Sequence, residues 1–245
     1  MKYIIVIPAR YKSTRFPGKP LTDILGKSML LRTYEQCVKA VDPKLVYVAT
    51  EDQLIVDHCN SFNIQVILTS DDCLTGTDRI AEVATKIKAD YYINVQGDEP
   101  LFNPEDIVKI IDLLETYPTE ILNGYTAITD DKQYTSLSVP KVVFRPNGKL
   151  LYMSRSAIPS NKKAAFVKAW RQVCIYAFPY EALVAFSNCK IKTVLEAEED
   201  IEILRFLELD YDIRMIELSS ESIAVDNPGD VIEVINKLSE YAGKL

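Results

Sequence analysis

Short apolar runs alternate with amphipathic stretches through the first half of the chain. Runs rich in β-branched and aromatic residues predict buried strands at 3–7, 45–50, 65–69 and 91–95. Between these runs, apolar residues recur at helical spacing and predict helices at 28–41, 52–62 and 77–88. Because strands and helices alternate along the chain, this half is expected to form a parallel sheet with right-handed crossovers.

The pattern changes in the second half. A helix is predicted at 103–117, where Asn103 can cap it and Pro104 occupies its first position. Strand-like runs with few helices between them follow at 121–129, 140–144, 149–154 and 172–178. They are expected to extend the sheet and to add an antiparallel part, before two closing helices at 198–209 and 228–242. No repeat, low-complexity tract or linker divides the pattern, so we predict one α/β domain over residues 1–245.

Composition and charge narrow the classes of partner. The chain is 48% hydrophobic and 26% charged, which is ordinary for a globular protein. A formal net charge of −7 and a pI of about 5.0 argue against general binding to nucleic acid or to anionic membranes. No apolar stretch is long enough to insert across a membrane. Five cysteines without a CxxC pair are interpreted as reduced thiols of a cytoplasmic protein.

A strongly basic loop, residues 7–21, begins at the end of the first strand. Ligands of open α/β sheets bind beyond the carboxyl ends of the strands, so a substrate is expected at this loop. Arg10, Arg15 and Lys19 can make charge-assisted hydrogen bonds to phosphate oxygens, and Gly18 permits close backbone approach. Neither a dinucleotide-binding GxGxxG motif nor a P-loop is present. The alternative is a basic loop that is merely solvated.

Acidic residues follow two other strand-like runs. Asp98 and Glu99 lie just past the fourth predicted strand, next to Gly97. Asp226 follows a strand-like run at 222–225. Carboxylates from two elements would suit a hard divalent cation, and a basic loop beside them indicates nucleotidyl transfer. Each feature also has a structural alternative, since Asp98 could belong to a simple turn and Asp226 could cap the last helix.

Several motifs occur in the order that is found in one known family. They are IPARYKSTRFPGKPL (7–21), TGTDR (75–79), NVQGDEPL (94–101), PKVVF with LLYMSRSAIP (140–159) and VDNPGD (225–230). Through these motifs the chain resembles the CMP-sugar-acid synthetases, in particular the group of 3-deoxy-manno-octulosonate cytidylyltransferases. The resemblance covers nearly the whole chain. The opening motif and VQGDEPL are together highly diagnostic, whereas TGTDR alone would be a weak signal.

The resemblance implies a nucleotidyltransferase with a Rossmann-like, mostly parallel twisted sheet that is flanked by helices. Such an enzyme would transfer CMP from CTP to the anomeric hydroxyl of a 2-keto-3-deoxy sugar acid, with release of pyrophosphate. The resemblance further implies a requirement for Mg²⁺ and a homodimer whose interface involves the segment 150–159. The product would serve the synthesis of lipopolysaccharide or another surface glycan.

The resemblance also implies which side chains form the site. CTP would be held by Ala9, Arg10, Ser13, Arg15, Lys19, Gly76, Thr77 and Arg79. Mg²⁺ would be held by Asp98 and Asp226, which together with Arg10 and Lys19 form the expected catalytic set. The sugar acid would be held by Gln96, Lys141, Arg155, Gln172 and Glu202. The Arg155 guanidinium suits the substrate carboxylate, while Lys141 could instead be an exposed strand lysine.

Two positions depart from the family pattern on the sugar side. Gln172 stands where octulosonate enzymes carry a sugar-contacting histidine, and Ile203 stands where they carry glutamine. A different acid sugar, such as an amino-octulosonate or a sialic-acid-like molecule, therefore remains open as the substrate. A catalytically silent nucleotide-binding relative is another alternative, although retention of both aspartates, Lys19 and Arg10 argues against it. A dinucleotide-binding protein is disfavoured by the missing glycine motif.

Overall fold

The structure is a computed structural model, and it describes residues 1–12, 16–220 and 222–242. Within these ranges the strands are β1 Tyr3–Pro8, β2 Asp23–Ile24, β3 Lys27–Ser28, β4 Val46–Thr50, β5 Gln65–Leu68, β6 Tyr91–Val95, β7 Ile121–Ala127, β8 Lys141–Phe144, β9 Leu150–Ser154, β10 Trp170–Pro179 and β11 Ile213–Glu217. The helices are α1 Met29–Ala40, α2 Gln53–Ser61, α3 Gly76–Lys86, α4 Pro104–Asp112, α5 Asp131–Thr135, α6 Tyr180–Asn188, α7 Val194–Glu199, α8 Ile203–Glu208 and α9 Pro228–Ala242.

The main sheet follows the order β11-β7-β10-β6-β1-β4-β5 in the described part of the chain. Strands β6, β1, β4 and β5 are parallel neighbours, and β7 is parallel to β11. Along this path β10 runs antiparallel to both of its neighbours, β6 and β7. Strands β8 and β9 form an antiparallel pair, and β8 joins the start of β10. The predicted mostly parallel sheet with an antiparallel part in the second half is therefore confirmed.

Helices cover both faces of this sheet. On β6, Tyr91 and Val95 join a buried cluster that includes Leu30 of α1. Tyr92 points to the opposite face and joins a second cluster that includes Ile80 of α3. Burial on both faces explains why β6 appears in the sequence as a continuous apolar run. Both faces of the sheet are therefore covered by packed helices. The carboxyl ends of β1, β4 and β6 remain together at one edge of the sheet.

The single helix predicted at 198–209 is wrong. The structure has two short helices, α7 and α8, separated by Asp200 in the left-handed conformation with φ 49°. Aspartate tolerates this conformation better than most residues because its short side chain can hydrogen-bond locally. Arg155 donates hydrogen bonds to the carbonyls of Glu199 and Asp200, at 2.5 and 2.9 Å. The carbonyls at the end of α7 are therefore satisfied by a distant side chain, which local pattern does not reveal.

The sequence pattern also leaves the hairpin β2–β3, the helices α5 and α6, and the strand β11 unpredicted. Strand β11 contains Arg214, whose guanidinium bonds Glu120 at 2.7 Å and lies over the Tyr117 ring. A charged residue inside a short apolar run interrupts the pattern that predicts a strand. The strand is recognised only when the contacts of that charged residue are known. Residues 222–225, which are strand-like in sequence, form no strand in the structure.

Strand β10 carries a β-bulge where it pairs with β7. Val173 pairs with Gly124 and Tyr176 pairs with Asn123, so two residues of β10 lie between consecutive pairs. The Asn123 side chain is fully buried at this point. Its Nδ2 donates hydrogen bonds to the carbonyls of Val173 and Ile175, both at 3.1 Å. The amide thus satisfies backbone carbonyls that the bulge removes from the regular ladder.

Two further expectations concern the thiols of the cysteines and the absence of a membrane-spanning segment. None of the five cysteines forms a disulfide, so the interpretation as free thiols is confirmed. No helix in the described ranges combines the length and the apolar composition needed to cross a bilayer. The compartment in which the chain works stays a prediction.

Candidate functional site

Two adjoining cavities open at the edge where the parallel strands end. The small cavity, of about 180 Å³, is lined by Pro8, Ala9, Arg10, Lys19, Pro20, Met29, Gly76, Arg79, Gln96, Gly97, Asp98, Glu202 and Asp226. The large cavity, of about 430 Å³, is lined by Gln96, Asp98, Glu99, Leu137, Ser138, Val139, Pro140, Arg155, Arg171, Gln172, Cys174, Tyr176, Asp200, Ile201, Glu202, Ala224 and Asp226. Gln96, Asp98, Glu202 and Asp226 line both cavities. Ligands in the two cavities would therefore meet at this shared wall.

The basic loop after β1 delivers Lys19 to the small cavity. Lys19 Nζ lies 2.6 Å from Asp98 Oδ2 and donates to the Val225 carbonyl at 2.8 Å. An ammonium group has three N–H bonds, so one remains for a ligand. Ala9, which is buried, and Arg10, which is exposed, line the same cavity. The loop thus presents two cationic groups at the end of the first strand.

Backbone contacts bring Asp98 and Asp226 to the same place. The Val225 N–H donates to the Asp98 carbonyl at 2.9 Å, so the segment that carries Asp226 runs beside the loop after β6. Gly97 in that loop packs against the end of β1. A Cβ at Gly97 would lie 3.0 Å from the Pro8 carbonyl oxygen, so a larger residue would require the backbone to shift by a few tenths of an ångström. Glycine at this position therefore permits the close approach of the two loops.

The two carboxylates fit a magnesium site. Mg²⁺ takes oxygen ligands and is usually bound by one or two carboxylates together with water and substrate phosphates. Asp98 and Asp226 supply such a pair at the small cavity, which Lys19 and Arg10 also line. Within the described residues, no group of three or more acidic, histidine or cysteine side chains is arranged to hold a metal ion. The donor set therefore suits an ion whose remaining ligands are substrate oxygens and water.

The start of α3 forms the opposite wall of the small cavity, and Glu202 fixes it. Glu202 Oε2 accepts hydrogen bonds from the Thr77 N–H at 2.8 Å and from the Thr77 hydroxyl at 2.6 Å. Glu202 Oε1 accepts from the Gly76 N–H at 3.3 Å. A carboxylate is stabilised here because the first N–H groups of a helix are unpaired and lie at the positive end of its dipole. Glu202 thus holds the loop that the sequence assigns to the nucleotide.

Arg79 lines the small cavity from one turn further along α3. Its side chain is 1% exposed, forms an ion pair with Glu51 at 2.9 Å and donates to the Thr69 hydroxyl. Its Nε has no hydrogen-bond partner among the described residues. Buried donors are usually paired, so this N–H is a candidate contact for an oxygen or nitrogen acceptor of a bound base.

Arg155 lines the large cavity and is oriented by backbone carbonyls. Its Nε, Nη1 and Nη2 donate to the carbonyls of Glu199, Leu137 and Asp200, at 2.5, 3.0 and 2.9 Å. These bonds use three of its five N–H donors and leave two for an anion. The Glu199 carboxylate accepts from the Arg155 backbone N–H at 2.8 Å and from the Ser154 hydroxyl at 2.6 Å. Burial raises the pKa of Glu199, but its hydrogen bonds outweigh burial and leave the pKa below its ordinary value.

Lys141 is fully buried, so its interpretation as an exposed strand lysine is wrong. Its Nζ donates to the Ser136 carbonyl at 2.8 Å and to the Arg155 carbonyl. Burial and, next, the charge of Arg155 lower the pKa of Lys141. Lys141 is not among the residues that line either cavity, and its ammonium ties together two loops beside the large cavity. Its contact with a sugar acid stays a prediction.

The two departures from the family pattern lie in different surroundings. Gln172 lines the large cavity, is 7% exposed, and donates from Nε2 to Asn123 Oδ1 at 3.0 Å. Ile203 is 1% exposed and packs in the apolar cluster with Leu204 and Phe206. It is not among the residues that line either cavity. The expectation that Ile203 alters the sugar side is therefore wrong, because its side chain belongs to the core.

Sequence reasoning missed Cys174 and Tyr176, which line the large cavity with Glu99. Glu99 is 5% exposed and accepts a hydrogen bond from the Ser222 hydroxyl at 2.5 Å. Burial raises the pKa of Glu99 and raises the pKa values of Cys174 and Tyr176 well above their ordinary ranges. The Cys174 thiol therefore stays protonated, which makes it a poor nucleophile. The strand periodicity of two from Gln172 onward was the available signal.

Most of the residues that the sequence assigns to the site come together in the structure. Those at the small cavity are Ala9, Arg10, Lys19, Gly76 and Arg79. Those at the large cavity are Arg155 and Gln172, and those at both are Gln96, Asp98, Glu202 and Asp226. Thr77 and Lys141 are not among the lining residues, and Ser13 and Arg15 lie outside the described residues.

Comparisons with known proteins show the family to which the chain belongs. The family model "Cytidylyltransferase" matches residues 4–213. The 3-deoxy-manno-octulosonate cytidylyltransferase of Geobacter metallireducens is 40% identical over 253 aligned positions, covering 98% of this chain and 99% of the relative. The protein of the same name from Protochlamydia amoebophila is 39% identical over 237 positions, covering 94% of this chain and 91% of the relative.

Solved structures show the same fold. A CMP:2-keto-3-deoxy-manno-octonic acid synthetase complexed with CTP superposes with a TM-score of 0.91 at 34% identity, covering 98% of this chain and 100% of that chain. A putative glucose-1-phosphate thymidylyltransferase from Bacillus anthracis superposes with a TM-score of 0.64 at 14% identity, covering 96% of this chain and 94% of that chain, and shares the fold alone. With the family match over most of its length and close relatives of one kind, the chain belongs to the cytidylyltransferase family, in the group of 3-deoxy-manno-octulosonate cytidylyltransferases.

Proposed function

We propose that this chain transfers CMP from CTP to the anomeric hydroxyl of 3-deoxy-manno-octulosonate and releases pyrophosphate. The observation that carries the proposal is the meeting of two cavities along one wall of four shared residues. One cavity presents Arg10 and Lys19, which suit a triphosphate. The other presents Arg155 with two unused N–H donors, which suit the carboxylate of a sugar acid.

Positive charge at the small cavity addresses the main electrostatic obstacle to the reaction. The anomeric oxygen must approach the α-phosphorus of CTP through a crowd of negatively charged phosphate oxygens, and the leaving pyrophosphate carries further charge away. Lys19 and Arg10 would bind these oxygens and stabilise the charge that develops in the transition state. Lys19 is suited to this role because two carbonyl or carboxylate contacts already hold its ammonium in place.

Asp98 and Asp226 would hold Mg²⁺ at the shared wall. When bound, the ion would supply Lewis-acid polarisation of the phosphate oxygens and neutralise part of their charge. The ion pair between Asp98 and Lys19 fixes the first of these carboxylates, and pairing of Val225 with the Asp98 backbone fixes the segment that carries the second. Both carboxylates therefore lie where phosphate oxygens are expected.

The large cavity would orient the second substrate. Arg155 would pair with the substrate carboxylate, and Gln96 at the shared wall would contact the sugar beside it. Holding both substrates in line converts a collision of two molecules into a reaction within one complex. No residue is assigned as a dedicated base.

A second candidate function is the activation of a different acid sugar by the same chemistry. It is favoured by Gln172, which lines the large cavity in place of the histidine that octulosonate enzymes carry. The amino-octulosonates and sialic-acid-like molecules share the 2-keto acid head that Arg155 would bind. The surface-glycan pathway, the cytoplasmic location and the homodimer belong to this proposal and rest on family resemblance.

The experiment that tests the proposal is a pyrophosphate-release assay with CTP and Mg²⁺. We expect release only when a 2-keto-3-deoxy sugar acid is added, and faster release with octulosonate than with the other acids. Fastest turnover of an amino-octulosonate or a sialic-acid-like substrate would favour the second candidate. Absence of release with every acid, although CTP binds, would contradict transfer and favour a silent nucleotide-binding relative.

A further inference from the structure

Asn123 forces one orientation on the neighbouring glutamine of the large cavity. Both Nδ2 hydrogens of Asn123 are used by the carbonyls of Val173 and Ile175 in the β10 bulge. The reverse orientation would aim Asn123 Oδ1 at two carbonyl oxygens, with no hydrogen between them, and is excluded in a fully buried setting. Asn123 Oδ1 must therefore face Gln172.

The fixed amide of Asn123 in turn determines the orientation of Gln172. An acceptor at Asn123 Oδ1 requires a donor, so Gln172 turns Nε2 toward it at 3.0 Å. The Gln172 carbonyl oxygen, Oε1, is left on the other side of the amide and has no hydrogen-bond partner among the described residues. Gln172 is only 7% exposed and lines the large cavity. Gln172 Oε1 is not among the fully buried unpaired atoms, so water can reach it through the cavity in the free protein. A bound sugar that excludes this water must supply a donor in its place, or the acceptor is left unpaired.

We propose that Asn123 is a positioning residue that locks Gln172 Oε1 into the large cavity, where it selects a hydrogen-bond donor of the sugar acid. The inference rests on the proposed function, because the large cavity is taken to hold the acid. The donor is a hydroxyl group or a protonated amine at one position of the sugar. A group that can only accept, such as an ether oxygen or fluorine, is rejected there.

The first experiment locates the donor. Pyrophosphate release from CTP is measured with octulosonate analogues that each lack one hydroxyl group. We expect one analogue to lose kcat/KM by about tenfold to a hundredfold, which is the effect of leaving an acceptor unpaired once the bound sugar has excluded water from it. At that position a fluoro analogue should be as poor as the deoxy analogue, while an amino analogue should retain turnover. A fluoro analogue that performs as well as octulosonate would overturn the inference.

Variants tie this discrimination to the named side chains. In Gln172→Met the ratio between octulosonate and the sensitive analogue should fall to about one, because Met offers no acceptor of similar strength. In Asn123→Leu the ratio should fall as well, with KM for CTP unchanged. Gln36→Met is the matched control, since the Gln36 amide donates to the Phe102 carbonyl and Gln36 lines neither cavity. An unchanged ratio in Gln172→Met would refute the role of Oε1.

A direct structural readout separates this inference from the proposed function. Side-chain amide NMR of Gln172 should show one Nε2 proton protected from exchange in the parent and exposed in Asn123→Leu. Persistence of that protection in a folded Asn123→Leu protein would refute the positioning role, whatever the substrate. Failure of octulosonate turnover in the parent would contradict the proposed function, and the NMR result would then decide the orientation on its own.

Discussion

Lys19 Nζ and Asp98 Oδ2 lie 2.6 Å apart, and both side chains are less than one third exposed. The pair joins the loop after β1 to the loop after β6, the two places where the sequence puts its diagnostic motifs. A partly buried ion pair contributes little net stability, because desolvation offsets much of the attraction. Lys19 is therefore expected to bind substrate phosphates and Asp98 the metal, and individual variants can separate these roles.

Asp98→Asn should lower kcat by a factor on the order of 10³, because an amide oxygen binds a divalent cation more weakly and the loss of a few kcal/mol of transition-state stabilisation has this effect. Turnover at saturating CTP is measured across a Mg²⁺ titration. Asp71→Asn is the control, since Asp71 is exposed and pairs only loosely with Lys12 at 3.7 Å. Near-parental turnover in a folded Asp98→Asn protein would remove Asp98 from the mechanism.

Lys19→Met should raise the Kd for CTP or slow the chemical step by at least about tenfold, because a phosphate oxygen loses its charged donor. Lys12→Met in the same loop should leave the Kd for CTP and the rate of the chemical step within about twofold of the parent values. The reason is that the Lys12 side chain is 77% exposed and its charge is screened. CTP titration calorimetry and single-turnover rates give the two quantities. Equal losses in the two variants would mean that the loop acts as a diffuse electrostatic patch.

Among the elements, the break between α7 and α8 has the clearest consequence for the site. It turns the carbonyls of Glu199 and Asp200 toward the Arg155 guanidinium, and the Glu199 carboxylate receives the Arg155 backbone N–H. The guanidinium is thereby fixed at the wall of the large cavity before any substrate carboxylate arrives. Such preorganisation reduces the entropy that binding must overcome.

Glu199→Gln should lower the free energy of unfolding by about 1–3 kcal/mol near neutral pH, because charge-assisted hydrogen bonds are lost. The pKa of Glu199 lies below its ordinary value of 4.5 in the folded protein, so its ionised form stabilises the fold. This contribution is complete above pH 4.5 and disappears as the pH falls through the folded-state pKa. The gap between parent and variant should therefore narrow in acid.

Urea unfolding over a pH series measures that gap. Glu198→Gln is the control, because Glu198 is the exposed neighbour in the same helix. A gap that keeps its size as the pH falls well below 4.5 would show that Glu199 acts through shape and not through charge.

The same elements show where prediction from sequence succeeds and where it stops. Strands β1, β4 and β6 could be predicted because burial on both faces makes them continuous apolar runs. The expected burial of β5 is wrong, because β5 ends the sheet and its Gln65 and Leu68 are exposed. The split of α7 from α8 could not, because its partner Arg155 is more than forty residues away in sequence. Lys141 shows the same limit at the site, since only the folded loops reveal the carbonyls that hold its buried ammonium.

At the scale of the whole molecule, the site follows from the topology. Parallel strands place the loops after β1 and β6 at one edge, and the antiparallel β10 brings its first residues, including Gln172, to that same edge. The order of motifs in the sequence could therefore predict which side chains line the small cavity, while their roles in binding phosphate and metal stay predictions. The lining of the large cavity depends on the β10 bulge and on Asn123, neither of which has a local sequence signal.

The expected homodimer is also a property of the whole molecule. Leu151 lies in the segment 150–159 and is 51% exposed, which suits a contact between copies. Leu151→Glu should shift the mass in analytical ultracentrifugation from about twice 27.7 kDa toward 27.7 kDa, because a charge would be buried without a partner. Leu54→Glu is the control, since Leu54 is 53% exposed on α2, outside that segment. A parent protein that sediments as a monomer would contradict the expectation.

We propose that the two cavities bring a nucleotide phosphate to the anomeric oxygen of a sugar acid, and detection of the new phosphorus–oxygen bond is the most direct test. Octulosonate labelled with ¹³C at the anomeric carbon is incubated with CTP, Mg²⁺ and the enzyme, and the product is observed by ¹³C and ³¹P NMR. We predict a new phosphodiester signal coupled to the labelled carbon, with pyrophosphate formed in equal amount. Consumption of CTP without carbon–phosphorus coupling at the anomeric position would contradict the account.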